Sequence, residues 1–276
     1  MESRTVDLHV HSAWSDGELA PAELVERALG ANLAAIALTD HDEVAGAAEA
    51  AEAASGRGLE VIGGVELTSY EGTVELHVVG LFVDPGVIAG YLEECKVQRR
   101  RRLVRMVERL REQGIAVDAD GMLERSGAGS AGRPHLAAEM VRIGAVRNVA
   151  EAFKSYIGDS LPAYVPKRMA APGEAIRVIH EAGGVAVLAH PGVTRHDELI
   201  PALADLGLDA IEVYYPRHSE PETAFYGNLA RSRGLVAGGG SDFHGGIFGM
   251  NEIGKPPVPY SVLEGLREAR DRRRGR

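Results

Sequence analysis

Short apolar runs recur along this chain, and nearly every one ends at a histidine or an acidic residue. Seven can be counted: Thr5–Val10, Ala34–Leu38, Glu60–Val65, Val74–Leu81, Gly184–Ala189, Ala210–Tyr214 and Leu235–Gly239. Most are followed by a helical pattern, over Ala20–Ala31, Val44–Gly56, Pro172–Ala182, Glu198–Asp205, Glu220–Ser232 and Tyr260–Arg270. Strands alternating with helices of this length predict βα units and a mostly parallel sheet. Seven units favour a closed or nearly closed barrel over an open sheet.

The alternation stops between about Asp84 and Pro166. A long helical run covers about Gly86 to Gln113, and short helices are expected near Pro134–Ile143 and Val149–Tyr156. A Gly/Ser-rich link from Ser126 to Gly132 separates the two parts. The expected organisation is a barrel domain of residues 1–84 and 166–276, with a helical insertion domain of residues 85–165.

The strand ends carry the chemistry. The first reads Asp7-Leu-His9-Val-His11, with Ser15-Asp16-Gly17 close behind. Residues two apart share one face of a strand, so His9 and His11 can bind one ion together. The second ends in Thr39-Asp40-His41-Asp42, the third in Gly64-Val-Glu66, and the fourth carries His77. The fifth ends in His190-Pro-Gly192, and the seventh in Ser241-Asp242-Phe-His244. Imidazole and carboxylate are what Mn²⁺, Fe²⁺ and Zn²⁺ accept, and a barrel gathers functional groups at the C-terminal ends of its strands. One lone histidine would mean little, but ligand types at six strand ends together predict a metal site.

On these motifs, spread over most of the chain outside the insertion, the sequence resembles the PHP family, named for its polymerase and histidinol phosphatase relatives. The resemblance implies an α/β fold, a distorted (β/α)7 TIM-like barrel, holding two to three divalent ions (Mn, Fe or Zn). It implies that His9, His11, Glu66 and Asp242 hold a first ion, and that Glu66 bridges to a second on His77 and His190. Asp16, His41 and His244 would hold the third, with Asp40 supporting His41. Asp16, the insertion after the fourth strand and Gly132-Arg-Pro-His135 resemble the TrpH-like branch. That branch includes 3′,5′-nucleotide bisphosphate phosphatases and the 5′ to 3′ exoribonuclease RNase AM. One departure is Val193 after the His-Pro-Gly turn, where the branch commonly has an arginine; Arg195 is the nearest here.

Such a site suits phosphoester hydrolysis: bound ions generate hydroxide at neutral pH and neutralise the phosphoryl oxygens. The chain offers no Gly-x-Ser-x-Gly elbow and no P-loop. The expected reaction is hydrolysis at a nucleotide bisphosphate or a short RNA 5′ end. Histidinol phosphate hydrolysis and an inactive, metal-stabilised scaffold are the alternatives. Asp242, His218 and Asp40 are the candidate catalytic residues. Arg133, His135, His218, Lys167, Arg168 and Arg195 are the candidate substrate contacts, with His196 beside them. Trp14 could wall the pocket, and His180, inside a predicted helix, is read as structural.

A net charge of −10 over 276 residues argues against a broad nucleic-acid footprint. The basic runs Arg99–Arg102 and Arg270–Arg276 are read as a solvated face and a tail. A single cysteine, Cys95, excludes an internal disulfide. With no apolar leader and no run of ~18 apolar residues, a cytoplasmic protein is expected, with neither membrane nor stable protein partner.

Overall fold

The computed structural model describes residues 4–126, 129–166, 170–246 and 252–275. Its strands are β1 (Thr5–Val10), β2 (Leu33–Leu38), β3 (Glu60–Glu71), β4 (Val74–Leu81), β5 (Val185–Leu188), β6 (Ala210–Tyr214), β7 (Val236–Gly239) and β8 (Val258–Pro259). They form one sheet in the order β7-β6-β5-β4-β3-β2-β1-β8. The chain just beyond β7 returns to β1: Val10 and Phe243 bridge in parallel, and the Asp242 N–H donates to the His9 carbonyl at 2.8 Å. The result is a nearly closed, mixed, eight-stranded barrel surrounded by helices.

Two features depart from the seven-stranded, mostly parallel expectation. β4 runs antiparallel to both β3 and β5. A period of two carries no direction, but only Gly72 and Thr73 separate β3 from β4, and a parallel return needs a dozen or more residues. The second is β8, a two-residue strand antiparallel to β1 and too short to show periodicity. β2 reads Leu-Ala-Ala-Ile-Ala-Leu and is buried throughout, as a strand covered on both faces must be.

The helices are α1 (Pro21–Gly30), α2 (Ala45–Ala54), α3 (Pro85–Glu112), α4 (Ala119–Arg125), α5 (Arg133–Arg142), α6 (Val149–Ala152), α7 (Pro172–Glu181), α8 (Pro191–Thr194), α9 (Ile200–Asp205), α10 (Glu220–Arg233) and α11 (Tyr260–Arg274). α10 begins at a reciprocal cap between Ser219 and Glu222 and ends at Gly234, whose φ of 69° suits glycine. α1 and α2 cover one side of the barrel around Leu24, Ile36 and Leu38. α7, α9 and α10 cover another around Ile179, Leu203 and Tyr226. Leu263 and Leu266 of α11 pack with the inward residues Val6, Leu8, Val79 and Val187. None of the described helices is long and apolar enough to cross a membrane.

α3 straddles two cores. Its early residues Ile88 and Leu92 pack with α7 on the barrel. Leu103, Met106 and Leu110 build a separate helical core with Leu136, Met140 and Ile157. The basic run at Arg99 is not a solvated face throughout. Arg99 is buried, pairs with Asp42 and donates to Thr68 Oγ1 at 3.1 Å, while Lys96 reaches Glu43 at 2.9 Å. These contacts fasten α3 to the loop after β2.

Asp209 fastens β6 to α7 and α11. It accepts from His180 Nε2 at 2.8 Å, from the Ala186 N–H at 2.9 Å, and from Arg273. Burial works to raise its pKa, but the bonds from His180, Ala186 and Arg273 prevail and hold it below the ordinary value. Its stabilisation is therefore present above the unfolded pKa of about 3.9 and lost as pH falls through the lower folded value. Asp209→Asn should cost about 1–3 kcal/mol near neutrality. Urea midpoints of both proteins should converge as the medium is acidified below about pH 4. A deficit that stays constant with pH would contradict the assignment.

Candidate metal centre

The paired spacing on β1 sets the floor of the site. His9 and His11 point the same way, with their Nε2 atoms 3.1 Å apart. Two imidazoles on one ion, each at ~2.0–2.1 Å, hold their nitrogens roughly 3–3.5 Å apart. Glu66 lies within β3, which runs on to Glu71, and it is buried at the centre of the cluster. Its Oε2 lies 3.1 Å from His41 Nδ1, 3.3 Å from His11 Nε2 and 3.5 Å from His9 Nε2. Its Oε1 lies 2.8 Å from His77 Nδ1 and 3.2 Å from His190 Nε2. His77 reaches it from the antiparallel β4, so this residue belongs to no C-terminal strand end.

On the other side, Asp16 Oδ1 lies 3.3 Å from His244 Nε2, and its Oδ2 3.7 Å from His41 Nε2. Asp242 Oδ1 is 3.4 Å from His9 and 3.3 Å from His11. All nine expected ligand residues thus meet in one cluster. Three groups within it bring their ligand atoms within 4.8 Å of one another: His11, Asp16, His41 and His244; His9, His11 and Glu66; His41, Glu66 and His77. His190 and Asp242 also hold left-handed backbone, at φ of 30° and 52°. Strain of this kind persists where the surroundings fix it, as at functional sites.

The donor set fits divalent ions. Asp16 Oδ1, His41 Nδ1 and His190 Nδ1 are buried and complete no hydrogen bond among the described residues. Burial opposes ionisation of Glu66, Asp16 and Asp242, yet the surrounding histidines hold all three well below their usual values. Conversely, burial opposes protonation of His77 and His244, but Glu66 beside the first and Asp16 and Asp242 beside the second push them up to about 9 and about 10. His41 goes the other way, to about 3, because burial outweighs Glu66 and Asp16. Packed carboxylates here call for positive charge that protons or metal ions can meet.

Several residues that hold this cluster were not read from the sequence. Glu212, on β6, accepts from His9 Nδ1 at 3.1 Å and from the His190 N–H at 2.6 Å, so one buried carboxylate orients two candidate ligands. Its signal was an acid inside the apolar run Ala210–Tyr214. Asp7 receives the Ser241 and Gly254 N–H groups at 2.8 and 2.7 Å, tying β1 to the segment after β7. Tyr215 OH donates to Asp242 Oδ2 at 3.0 Å.

The expected catalytic role of Asp40 is not supported by its geometry. Its carboxylate is wrapped by the Ser12 N–H and both the Ser12 and Ser15 hydroxyls, at 2.6–2.7 Å. It shapes the loop between His11 and Asp16. His218 likewise has both ring nitrogens engaged, Nδ1 with the Val213 carbonyl at 3.0 Å and Nε2 with the Gly192 N–H at 3.2 Å. A Cβ at Gly192 would sit 2.6 Å from the His218 ring, so histidine and glycine fit together to hold the turn after His190. That geometry fixes the ring of His218 against the turn.

Arg133, at the start of α5, does come to the rim. It pairs with Asp159 at 2.6 Å and lies 3.8 Å from Glu75, whose other oxygen is 3.3 Å from His77 Nε2. His135 accepts the Gly132 N–H at 3.1 Å and lies near Asp16. Arg195 donates to the Gly192 carbonyl at 3.2 Å, and the His196 ring meets Glu198 at 2.8 Å near the surface. Trp14 donates to Glu49 at 3.0 Å. Lys167 and Arg168 lie outside the described residues.

Residues 7–116 match the PHP domain. The chain is 36% identical to a 3′,5′-nucleoside bisphosphate phosphatase of Chromobacterium violaceum, over 96% of this chain and 97% of that protein. It is also 36% identical to the 5′-3′ exoribonuclease Rnm of Salmonella typhimurium, over 86% of this chain and 84% of that protein. A crystal structure from Bifidobacterium adolescentis, described as a candidate metal-dependent phosphoesterase, superposes with a TM-score of 0.88 at 30% identity, covering 96% of both chains. With its barrel, its cluster around Glu66 and relatives alike along nearly their whole length, the chain belongs to the PHP family of metal-dependent phosphoesterases, in its TrpH-like branch.

Proposed function

We propose that this phosphoesterase removes phosphate from a 3′,5′-nucleotide bisphosphate, or the 5′-most nucleotide from a short RNA. It would use two to three divalent ions (Mn²⁺, Fe²⁺ or Zn²⁺) held by His9, His11, Asp16, His41, Glu66, His77, His190, Asp242 and His244. The observation that carries the reading is the cluster's shared carboxylate, Glu66, connected through His77 and Glu75 to Arg133 at the rim. The substrates named for the two relatives at 36% identity support it. Bound ions would supply an activated water and positive charge facing the phosphoryl oxygens.

The chain's own contribution is positioning. Glu212 fixes the ring of His9 and the backbone of His190, and Tyr215 fixes Asp242. His218 holds the turn after His190, and Asp40 holds the loop that presents Asp16. Arg133, braced by Asp159 and Glu75, offers a planar cation to a second phosphate, which suits a substrate carrying more than one. We read residues 85–165 as an insertion domain that carries Arg133 and His135 to the rim of a barrel formed by residues 1–84 and 166–276. We place the enzyme in the cytoplasm, acting without a stable protein partner.

The deciding experiment is phosphate release by the Mn²⁺-loaded protein from 3′-phosphoadenosine 5′-phosphate, AMP, histidinol phosphate and a 5′-phosphorylated RNA, with nucleotide release followed for the RNA. Turnover of the bisphosphate or the RNA well above the others is expected; turnover of histidinol phosphate alone would overturn the substrate assignment. Arg133→Ala should keep its metal and raise KM for the favoured substrate about tenfold; an unchanged KM returns this residue to the surface.

Metal titrations test the centre separately. His9→Ala and Asp242→Ala should lose metal and activity together. Glu212→Gln should bind metal about 10–100-fold more weakly, because His9 loses the carboxylate behind it. Full metal content in all three proteins would refute the ligand assignment.

A further inference from the structure

The insertion carries basic residues that the metal centre does not use. A cavity of about 670 Å³ lies where α3 faces α7 and the segment around Val165, and Gln98, Arg101, Arg102 and Arg105 line it together with Glu94 and Glu174. Arg101 and Arg105 are exposed and form no ion pair among the described residues. Arg102 is held in place: its Nε donates to the Val165 carbonyl at 2.7 Å, and its guanidinium lies 5.4 Å from the Tyr164 ring centre. Its Nη2 is buried and has no hydrogen-bond partner among the described residues.

This cavity is joined to the metal centre by contacts. Arg133 lies over the same Tyr164 ring, 5.6 Å from its centre, so two guanidinium groups share one aromatic side chain. From Arg133 the path continues through Glu75 to His77 and Glu66. Burial, and then the charge of Arg133, disfavour the charged form of Arg102. On a chain of net charge −10, positive charge so placed is local and directed.

We propose that the cavity between α3 and α7 binds the phosphodiester backbone of RNA on the 3′ side of the nucleotide being removed, with Arg102 first and Arg101 and Arg105 beyond it. The inference rests on the RNA half of the functional reading above. Planar guanidinium groups match phosphate geometry and pair with it through two parallel N–H groups. Arg101 and Arg105 line this cavity, whereas the contacts of Arg133 run to Glu75 and Asp159, so on this proposal a mononucleotide held at the metal centre and Arg133 leaves them unused. The cavity therefore distinguishes an oligomer from a bisphosphate.

The test uses the full-length Mn²⁺-loaded enzyme and an Arg101→Gln/Arg105→Gln double variant, which leaves Arg102 and its bond to Val165 in place. An Arg231→Gln/Arg233→Gln variant on α10 carries the same change in net charge and serves as control. Binding of a cleavage-resistant 5′-phosphorylated RNA oligomer is measured against salt, beside turnover of a cleavable oligomer and of 3′-phosphoadenosine 5′-phosphate. Losing two phosphate contacts should reduce the slope of log affinity against log salt by about 1.4, at about 0.7 per contact on a single strand. KM for the oligomer should rise about tenfold or more, with bisphosphate turnover and the control variant unchanged. An unchanged slope and KM, or an equal loss in the control, overturns the proposal. Should the wild-type enzyme turn over no RNA, the functional reading fails on its own, and the binding slope still decides the cavity.

Discussion

A carboxylate with almost no access to water stands within hydrogen-bonding range of five histidines, and the rest of the molecule is arranged to permit it. Glu66 meets His9, His11, His41, His77 and His190 at 2.8–3.5 Å. An ionised group so buried persists only when opposite charge surrounds it. Five rings from four other strands or their ends can approach one side chain only if the sheet curls around it. Barrel closure and ligand convergence are thus one requirement: Asp242 bonds back to the His9 carbonyl, and Asp7 ties β1 to the far side of β7.

Much of this was legible in the sequence because a strand's period of two is a strong geometric statement. His9-x-His11 and Asp242-x-His244 each present two ligands to one face whatever the remaining chain does. Direction was not legible: the side-chain pattern of β4 is the same read either way, and only the short Gly72-Thr73 connection carried the reversal. Nor could spacing show where a polar side chain spends its hydrogen bonds. Asp40 sits next to a ligand in sequence but turns to Ser12 and Ser15. His218 follows the right strand yet is taken up by two backbone groups.

Glu212 and Arg99 mark the opposite failure. Each was passed over because its local sequence has a plain explanation, an acid within an apolar strand in one case and one arginine among four in the other. Their function comes from partners more than 20 positions away in sequence: Glu212 meets His9 and His190, and Arg99 meets Asp42 and Thr68. Contacts of that range follow from the fold and leave no periodic trace. The seam made by Arg99 and Lys96 lies on α3 between the residues it gives to the two cores.

The order in which the ligands occur along the chain bears on how the protein comes into being. His9 and His11 are made first, and their partners Asp242 and His244 more than 230 residues later, so the centre cannot be complete while most of the chain is still on the ribosome. Until β7 arrives, the edge of β1 that it closes and the carboxylate of Glu66 must wait without their final neighbours. Contacts so distant in sequence are slow to form and leave strands open to wrong pairing in the interval. The short antiparallel turn between β3 and β4 brings Glu66 and His77 together early, which gives the nascent chain a local nucleus around which the remaining ligands can be gathered.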